Sequence, residues 1–487
     1  MFHPCLITTN PSPGVLAPPH RLRFSFYVST SILLHALASA SAAADLGWDY
    51  QPYRIRAVLA IDAPGGLSQQ LADELPQYLK GRVHAAIGPL WSFDIDVATG
   101  AARGRLLAEM DARHDKPPTE FPADGDKLLL LAVRWTPAGL ELIAREFDRY
   151  VERWGMPIRT ECHQELALPE QLFAIACQAV APLVQLEFDP EDEQRVRLLP
   201  RGAALLRENS GVSSIKAGDV LLPLLRRTAR GGELLEGGIV VVPWTYVEVA
   251  DSDTLLARIH SANRRPFGIR RQGRVEQLAI GLRALPAETV LRLHSRTAPD
   301  KPLVGYEVFS QKPGDEVLSL LGTTDREGKL TVPPGETRIR TLYLKNGGQL
   351  LARLPIVPGA DGQIDVPLPD DDPRLAAEAR LAALREELID VVARRNILMA
   401  RARQKMKESD FAAAQKLLAT ADELPGRSQF NLTLTTAARS LRSDDPQIQR
   451  RIDQLVEGTQ TVMNQYLDLR PINQLHDELR AAQRKGT

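Results

Sequence analysis

The hydrophobic and polar positions change period along the chain. From residue 45 to about 190, runs of strand character alternate with runs at helical spacing. Arg54–Ile61 reads as a strand closed by Pro64-Gly65-Gly66. Leu67, Leu71, Leu75, Tyr78 and Leu79 then recur at three- and four-residue steps, on one face of a helix. Trp91–Val97 alternates as a second strand, residues 103–112 fit a short helix, and Lys127–Val133 is a continuous apolar run. The turn residues Thr136-Pro137-Ala138-Gly139 fold that run back onto Leu140–Tyr150 as a hairpin. A helix opening at Pro169 lines up Leu172, Ala176, Ala179, Val180 and Leu183. This order predicts a small α/β sheet domain.

From 191 to 285 short apolar runs are broken by Gly and Pro: Arg195–Leu199, Ala203–Arg207, Gly218–Leu224, Gly238–Pro243, Thr245–Val249 and Val275–Leu282. That spacing predicts a small antiparallel barrel or sandwich. Between 286 and 369 a second β-module contains Pro302–Phe309, Gly322–Leu330 and Leu342–Leu344. Asp325 and Gly328 suit a hairpin turn, with the flanking apolar residues pairing across it. From 370 to 487 the chain reads as helical. Asp372-Pro373 starts a helix whose stripe runs through Leu381, Leu384, Leu388, Val391, Val392 and Leu398 toward Glu408. Phe411, Leu417, Leu418 and Leu424 mark a second helix, and others follow Asp445-Pro446 and Pro471. The predicted class is multi-domain α+β: a small α/β sheet domain, two antiparallel β barrel or sandwich modules, and a C-terminal helical segment with a long first helix.

Several segments resemble known families. The phrases at Pro302–Phe309, Gly322–Leu330 and Leu342–Leu344 resemble carboxypeptidase-regulatory, transthyretin-like β-sandwich modules, which implies an adhesive or spacer element at about 286–369. The element order of 45–190 resembles the α/β domain of periplasmic envelope accessory proteins. Ala217-Gly218-Asp219-Val220-Leu221 resembles a turn-strand phrase of SH3-like barrels, and Lys407–Ala414 with Leu424-Pro425 is similar to half of one tetratricopeptide unit. One such unit does not make a solenoid. As a whole the chain resembles uncharacterised exported bacterial proteins.

The N-terminus sets the expected compartment. Arg21 and Arg23 precede the apolar run Phe24–Ala38, which leads into the small residues Ser39–Ala44. This is the order of a signal peptide, with cleavage in the region of Ala40, Ala42 and Ala44, so residues 1–44 read as leader. The run is shorter than the roughly 20 residues that cross a bilayer, and the mature chain is expected to carry no transmembrane span. The 487 residues carry 60 Lys+Arg against 61 Asp+Glu, a formal charge of −1 that gives no bulk attraction to nucleic acid. Of three cysteines, Cys5 lies in the leader. Cys162 and Cys177 are candidates for one disulfide in an oxidising compartment; two buried thiols is the preferred alternative.

Standard catalytic and cofactor patterns are missing. There is no Gly-x-Ser-x-Gly elbow and no GxGxxG loop, and Gly322 with Gly328-Lys329 is one residue too long for a phosphate loop, with Leu330 where a hydroxyl belongs. His84, His114, His163, His260, His294 and His476 show no i,i+4 pairing, and Asp370-Asp371-Asp372 lacks calcium-loop spacing and reads as a capped linker. No metal or cofactor is therefore expected. Arg264, Arg265, Arg270, Arg271 and Arg274 form a candidate anion patch around Pro266-Phe267-Gly268, against the simpler reading of a solvated loop. The function expected is an exported, non-catalytic interaction or structural protein of the bacterial cell envelope, periplasmic or extracellular. Its partner is a protein or an envelope polymer, and its C-terminal helices offer self-association. The alternative is an extracytoplasmic hydrolase with a site assembled between the α/β domain and the following β-domain.

Overall fold

The computed structural model describes residues 47–64, 67–112, 121–122, 124–189, 191–206, 215–268, 274–311 and 317–485. The leader, with Ala40, Ala42 and Ala44, lies outside the described residues, as do His114, Arg270 and Arg271.

The α/β layer is built on β1 (Tyr53–Asp62), which pairs in parallel with β2 (Trp91–Ala98) and β3 (Lys127–Thr136). The expected hairpin forms: β4 (Gly139–Asp148) returns antiparallel to β3, with Thr136 opposite Gly139. Two short strands, β5 (Arg153–Trp154) and β6 (Ile158–Cys162), pair with β4. The period of two along the strands decides which helix covers which face. Ile55, Leu59, Leu129, Leu131 and Leu142 pack under α1 (Gln69–Ala86) and α3 (Leu168–Ala179). Val58, Ala60, Leu128, Leu130 and Ile143 point the other way, onto Leu106 and Met110 of α2 (Gly100–Asp111). Ser68 caps α1, its Oγ accepting from the Leu71 amide. Leu183 does not continue α3, because Pro182 has no amide hydrogen to donate and disfavours helix at Ala181; it begins a strand instead.

That strand, β7 (Leu183–Phe188), belongs to a barrel with β8 (Arg195–Pro200), β9 (Val220–Thr228), β10 (Leu234–Val241), β11 (Thr245–Asp251), β12 (Leu256–Ser261) and β13 (Arg274–Leu282). Six strands close in the order β9-β11-β12-β8-β7-β13 and back to β9, and β10 lies along the outer end of β9. Ala203–Leu205, expected as part of a strand, is a single 3-10 turn that opens on left-handed Gly202. Leu221 and Ala279 point into the barrel with Val184, Val247 and Val249. Their neighbours Leu222, Leu224, Leu278 and Ile280 point outward into the core beneath α3. β9 and β13 are thus apolar on both faces, and the barrel shares a core with the α/β layer.

The next module is a sandwich of two sheets. β14 (Thr289–Ser295) pairs antiparallel with β17 (Lys329–Val332) and parallel with β20 (Gln363–Leu368). β15 (Glu307–Gln311), β16 (Leu318–Thr323), β18 (Arg340–Asn346) and β19 (Gln349–Ile356) form the second sheet, in the order β16-β15-β18-β19. Leu291, Leu293, Val366, Val308, Leu342 and fully buried Tyr306 fill the space between them. The Asp325–Lys329 turn forms as expected, Asp325 Oδ1 accepting from the amides of Glu327 and Lys329. The expected pairing across it does not occur: β16 pairs with β15 and β17 with β14, so the turn carries the chain between sheets. A Cβ on Gly328 would lie 2.3 Å from Leu293 O, which explains the glycine.

The C-terminal domain is helical. α4 (Asp372–Lys407) runs 36 residues and packs against α5 (Phe411–Asp422), α6 (Arg427–Ser440), α7 (Pro446–Tyr466) and α8 (Arg470–Lys485). The expected stripe of Leu381, Leu384, Leu388 and Val391 meets Phe430, Leu434 and Met463. The N-cap position is Asp371 rather than Asp372. Its carboxylate is taken by Arg374 at 2.6 and 2.8 Å, and its amide donates to Tyr306 Oη at 2.8 Å. The acidic run therefore fastens the helical domain to the sandwich. Among the described residues no helix is long and apolar enough to cross a membrane.

Candidate functional site: a groove where three modules meet

Two adjoining cavities, of about 570 and 430 Å³, lie where the α/β layer, the barrel and the sandwich meet. The register of α3 aims Leu172, Ile175 and Ala176 into the core and leaves Phe173, Ala174, Cys177 and Gln178 along the groove. Opposite them stand Asp219, Val220 and Leu221 at the start of β9 and Leu282 at the end of β13. Gly281 permits this approach: its amide donates to Pro182 O at 2.9 Å, and a Cβ there would lie 2.7 Å from the Pro182 ring. The smaller cavity is walled by Met156, Pro157 and Ile158 from the α/β layer, by Leu285 and Pro286 after the barrel, and by Pro334 and Pro358 from the sandwich. Gln178, Arg283 and Arg338 border both cavities.

Three of the charged side chains that line the groove, Asp219, Arg338 and Glu170, are already answered, whereas Lys216 and Glu336 are exposed and make no ion pair among the described residues. Asp219 accepts from Arg338 Nη1 at 3.1 Å and from the Lys216 amide at 2.8 Å. Glu170 accepts from Arg82 Nε at 2.9 Å and from Tyr78 Oη, and the Arg82 guanidinium lies 4.9 Å over the Phe173 ring. The Arg283 guanidinium has no hydrogen-bond or ion-pair partner among the described residues. It is exposed at the rim, yet enough protein surrounds it that desolvation draws its pKa below the usual value, with Arg338 adding to the effect and the acids Glu146 and Asp219 opposing it.

Cys177, in the groove wall, is a free thiol, and burial pushes its pKa up to about 12. Cys162 is also free and buried, with its Sγ 3.2 Å from Gln164 O; both thiols belong to the core beneath α3. A thiol held protonated is a poor nucleophile. Among the described residues no histidine borders the groove: His260 pairs with Glu248 and His476 with Asp422, both at 2.9 Å, and His163 lies 3.8 Å from Glu161. Among the described residues no group of three or more His, Cys, Asp or Glu could hold a metal ion.

The described residues of the arginine patch lie elsewhere. Arg264 and Arg265 are exposed on the loop after β12, Arg265 Nε lies 3.6 Å from Glu193, and Arg274 opens β13 opposite Thr228. Phe267 in that loop stacks edge-on against Phe188 at 4.7 Å. The groove falls between the α/β layer and the β-modules, but Arg283, Arg338 and Asp219 were not singled out by sequence, because they come from three separate connections with no local spacing to mark them.

A second cluster is fully buried. Lys127 donates to Asp148 at 2.6 Å, to Glu146 at 3.2 and 3.3 Å, and to Ala181 O at 2.9 Å. Glu146 also accepts from the Ala181 amide at 3.0 Å. Burial raises Glu146 to about 7, with Lys127 opposing and Asp148 adding to the rise. Burial acts to lower Lys127, but the charges of Asp148 and Glu146 outweigh it and hold the ammonium above the ordinary lysine range. Nearby, Asp126 joins Arg201 at 2.6 Å to Arg54 at 2.8 Å. These groups tie the first sheet to the linker that enters the barrel.

No family model matches the chain, and no curated protein matches it. Among solved structures it is similar to the crystal structure of TolB from Acinetobacter baumannii at 7% identity, over 63% of this chain and 83% of that one. The TM-score is 0.16, a likeness that carries no argument about fold or function.

Proposed function

We propose that this is an exported, non-catalytic interaction protein of the bacterial cell envelope that holds a partner in the groove between its three β-containing modules. The observation that carries this reading is Arg283, a cation without a partner among the described residues, placed between two preformed cavities in which Asp219 and Glu170 are already paired, Glu336 stands exposed to solvent, and the thiol is held protonated. Binding needs an unanswered charge and apolar walls; hydrolysis needs a base or nucleophile poised near neutral pH. The arginine-led leader sequence supports export. The two facing sheets around Tyr306 support a transthyretin-like spacer, and the helical domain fastened to them supports an assembly role, including self-association.

Purified mature chain is expected to turn over no ester, peptide, phosphate or glycan in a broad activity screen. The protein recovered from the envelope fraction is expected to begin near Asp45. Turnover abolished by filling the groove, or an intact leader on protein recovered from the cytosol, would overturn the reading.

A further inference from the structure

We infer that the groove takes an extended peptide segment of a partner protein, with apolar residues on both sides of one acidic residue whose carboxylate is received by Arg283. This rests on the reading of the groove as a docking site and names its ligand.

Charge complementarity argues for the acid. Arg338 is matched by Asp219, and Arg82 by Glu170. Arg283 borders both cavities and makes no ion pair or hydrogen bond among the described residues; Glu336 of the smaller cavity is exposed and does not pair with it. A guanidinium with fork geometry is suited to a carboxylate, and charge-assisted bonds of this kind are the stronger ones.

The walls argue for peptide rather than glycan or nucleic acid. Phe173, Ile215 and Leu221 line one cavity and Met156, Ile158 and Leu285 the other. Stacking of a sugar or base needs an open aromatic face, and the one aromatic ring among the described residues of the groove, Phe173, already lies beneath Arg82. An extended peptide alternates its side chains, so apolar residues two positions before and after a central acid share its face and can enter the cavities on either side of Arg283. Proline also decides the mode of binding. Pro157, Pro182, Pro286, Pro334 and Pro358 give stiff walls with no amide hydrogens, so recognition uses side-chain pockets rather than addition of a strand to a sheet edge. Walls that are already formed lower the ordering cost of binding.

The test presents purified full chain to an array of random 12-residue peptides and, in parallel, to polygalacturonate. Arg283→Ala, Ala174→Trp (to fill the larger cavity) and Arg264→Ala are compared with the parent, after circular dichroism confirms that each is folded. Peptides with Asp or Glu between apolar residues are expected to bind. Arg283→Ala should weaken them about tenfold or more, Ala174→Trp should abolish binding, and Arg264→Ala should leave it unchanged. Peptide binding lost in Ala174→Trp but unchanged in Arg283→Ala overturns the acidic-peptide inference and leaves the groove a docking site. So does binding of polygalacturonate in place of peptide when Ala174→Trp removes it. Binding indifferent to both groove variants, or no binding of either probe, overturns the docking reading as well.

Discussion

Lys127 Nζ lies 2.6 Å from Asp148 Oδ2, and both side chains are only 1% exposed. The two residues face each other across the first and last positions of the β3–β4 hairpin, and Glu146 sits opposite Leu129 on the same face. An ion pair this deep recovers its desolvation cost only while all its bonds are made. Lys127→Met is expected to leave two buried carboxylates together and to lower stability by about 3–5 kcal/mol in urea unfolding. Adding Glu146→Gln and Asp148→Asn should recover part of that loss, because it removes the unpaired charge.

Glu146 gives this cluster a pH dependence of definite sign. Its pKa in the folded chain, raised to about 7, lies above the ordinary 4.5, so the native state binds the proton more tightly than the unfolded state. Its contribution to stability is present in full below about 4.5 and is lost as pH rises through about 7. Acids with lowered values, such as Asp126, Asp445 and Glu141, act in a separate window, losing their contribution as pH falls below the ordinary carboxylate range. The melting temperature of the parent between pH 5 and pH 7.5 should therefore carry a falling component that Glu146→Gln removes. An unchanged slope in the variant would show that Glu146 does not bind that proton.

Part of this was readable in the sequence. Once Thr136–Gly139 is recognised as the turn, the hairpin register places Asp148 opposite Lys127, so the buried triad had a local signal. The helix start at Asp372-Pro373 and the stripe through Leu381 and Leu388 were likewise local patterns, and they formed where the spacing put them. Barrel closure was not legible. It depends on β9 pairing with β13 over nine positions from Val220–Leu282 to Thr228–Arg274, a long-range choice that apolar runs alone do not specify. The groove is a further step removed, because Arg283, Arg338 and Gln178 converge only after three modules have docked.

Asp445 joins two modules and caps a helix with one carboxylate. It accepts from the Gln447 amide at 2.9 Å at the start of α7 and from Arg296 of the sandwich at 2.6 and 2.8 Å, and it is 1% exposed. Asp445→Ala should cost about 1–3 kcal/mol through the lost cap and charge-assisted bonds. Hydrogen exchange should rise first in the opening turn of α7 and along β14. Arg296→Ala should leave the α7 amides less affected, because the cap remains.

Gly359 holds the sandwich against the barrel exit. Its φ is +80°, its carbonyl accepts from the Leu285 amide at 3.1 Å, and a Cβ there would lie 1.9 Å from Leu285 O. The clash is with backbone, which cannot rotate aside. Gly359→Ala is expected to lower stability by about 2 kcal/mol or more and to open the Ala284–Ala287 connection to proteolysis. Gly218→Ala, with φ +82° but nothing within 4 Å of a Cβ, should cost less because it lacks that clash.

The thiols provide a test of the core beneath α3. Cys162 and Cys177 are both buried and free, and Cys177 is pushed up to about 12. At pH 8 the reactive thiolate of Cys177 is then roughly one molecule in ten thousand, before burial further slows access. Iodoacetamide should label neither residue appreciably in the native chain. After unfolding without reductant both should label fully, and mass spectrometry of the mature chain should count two alkylated cysteines. Rapid native labelling of Cys177 would mean that the groove wall exposes a competent thiolate, and with it a nucleophile that the docking reading does not contain.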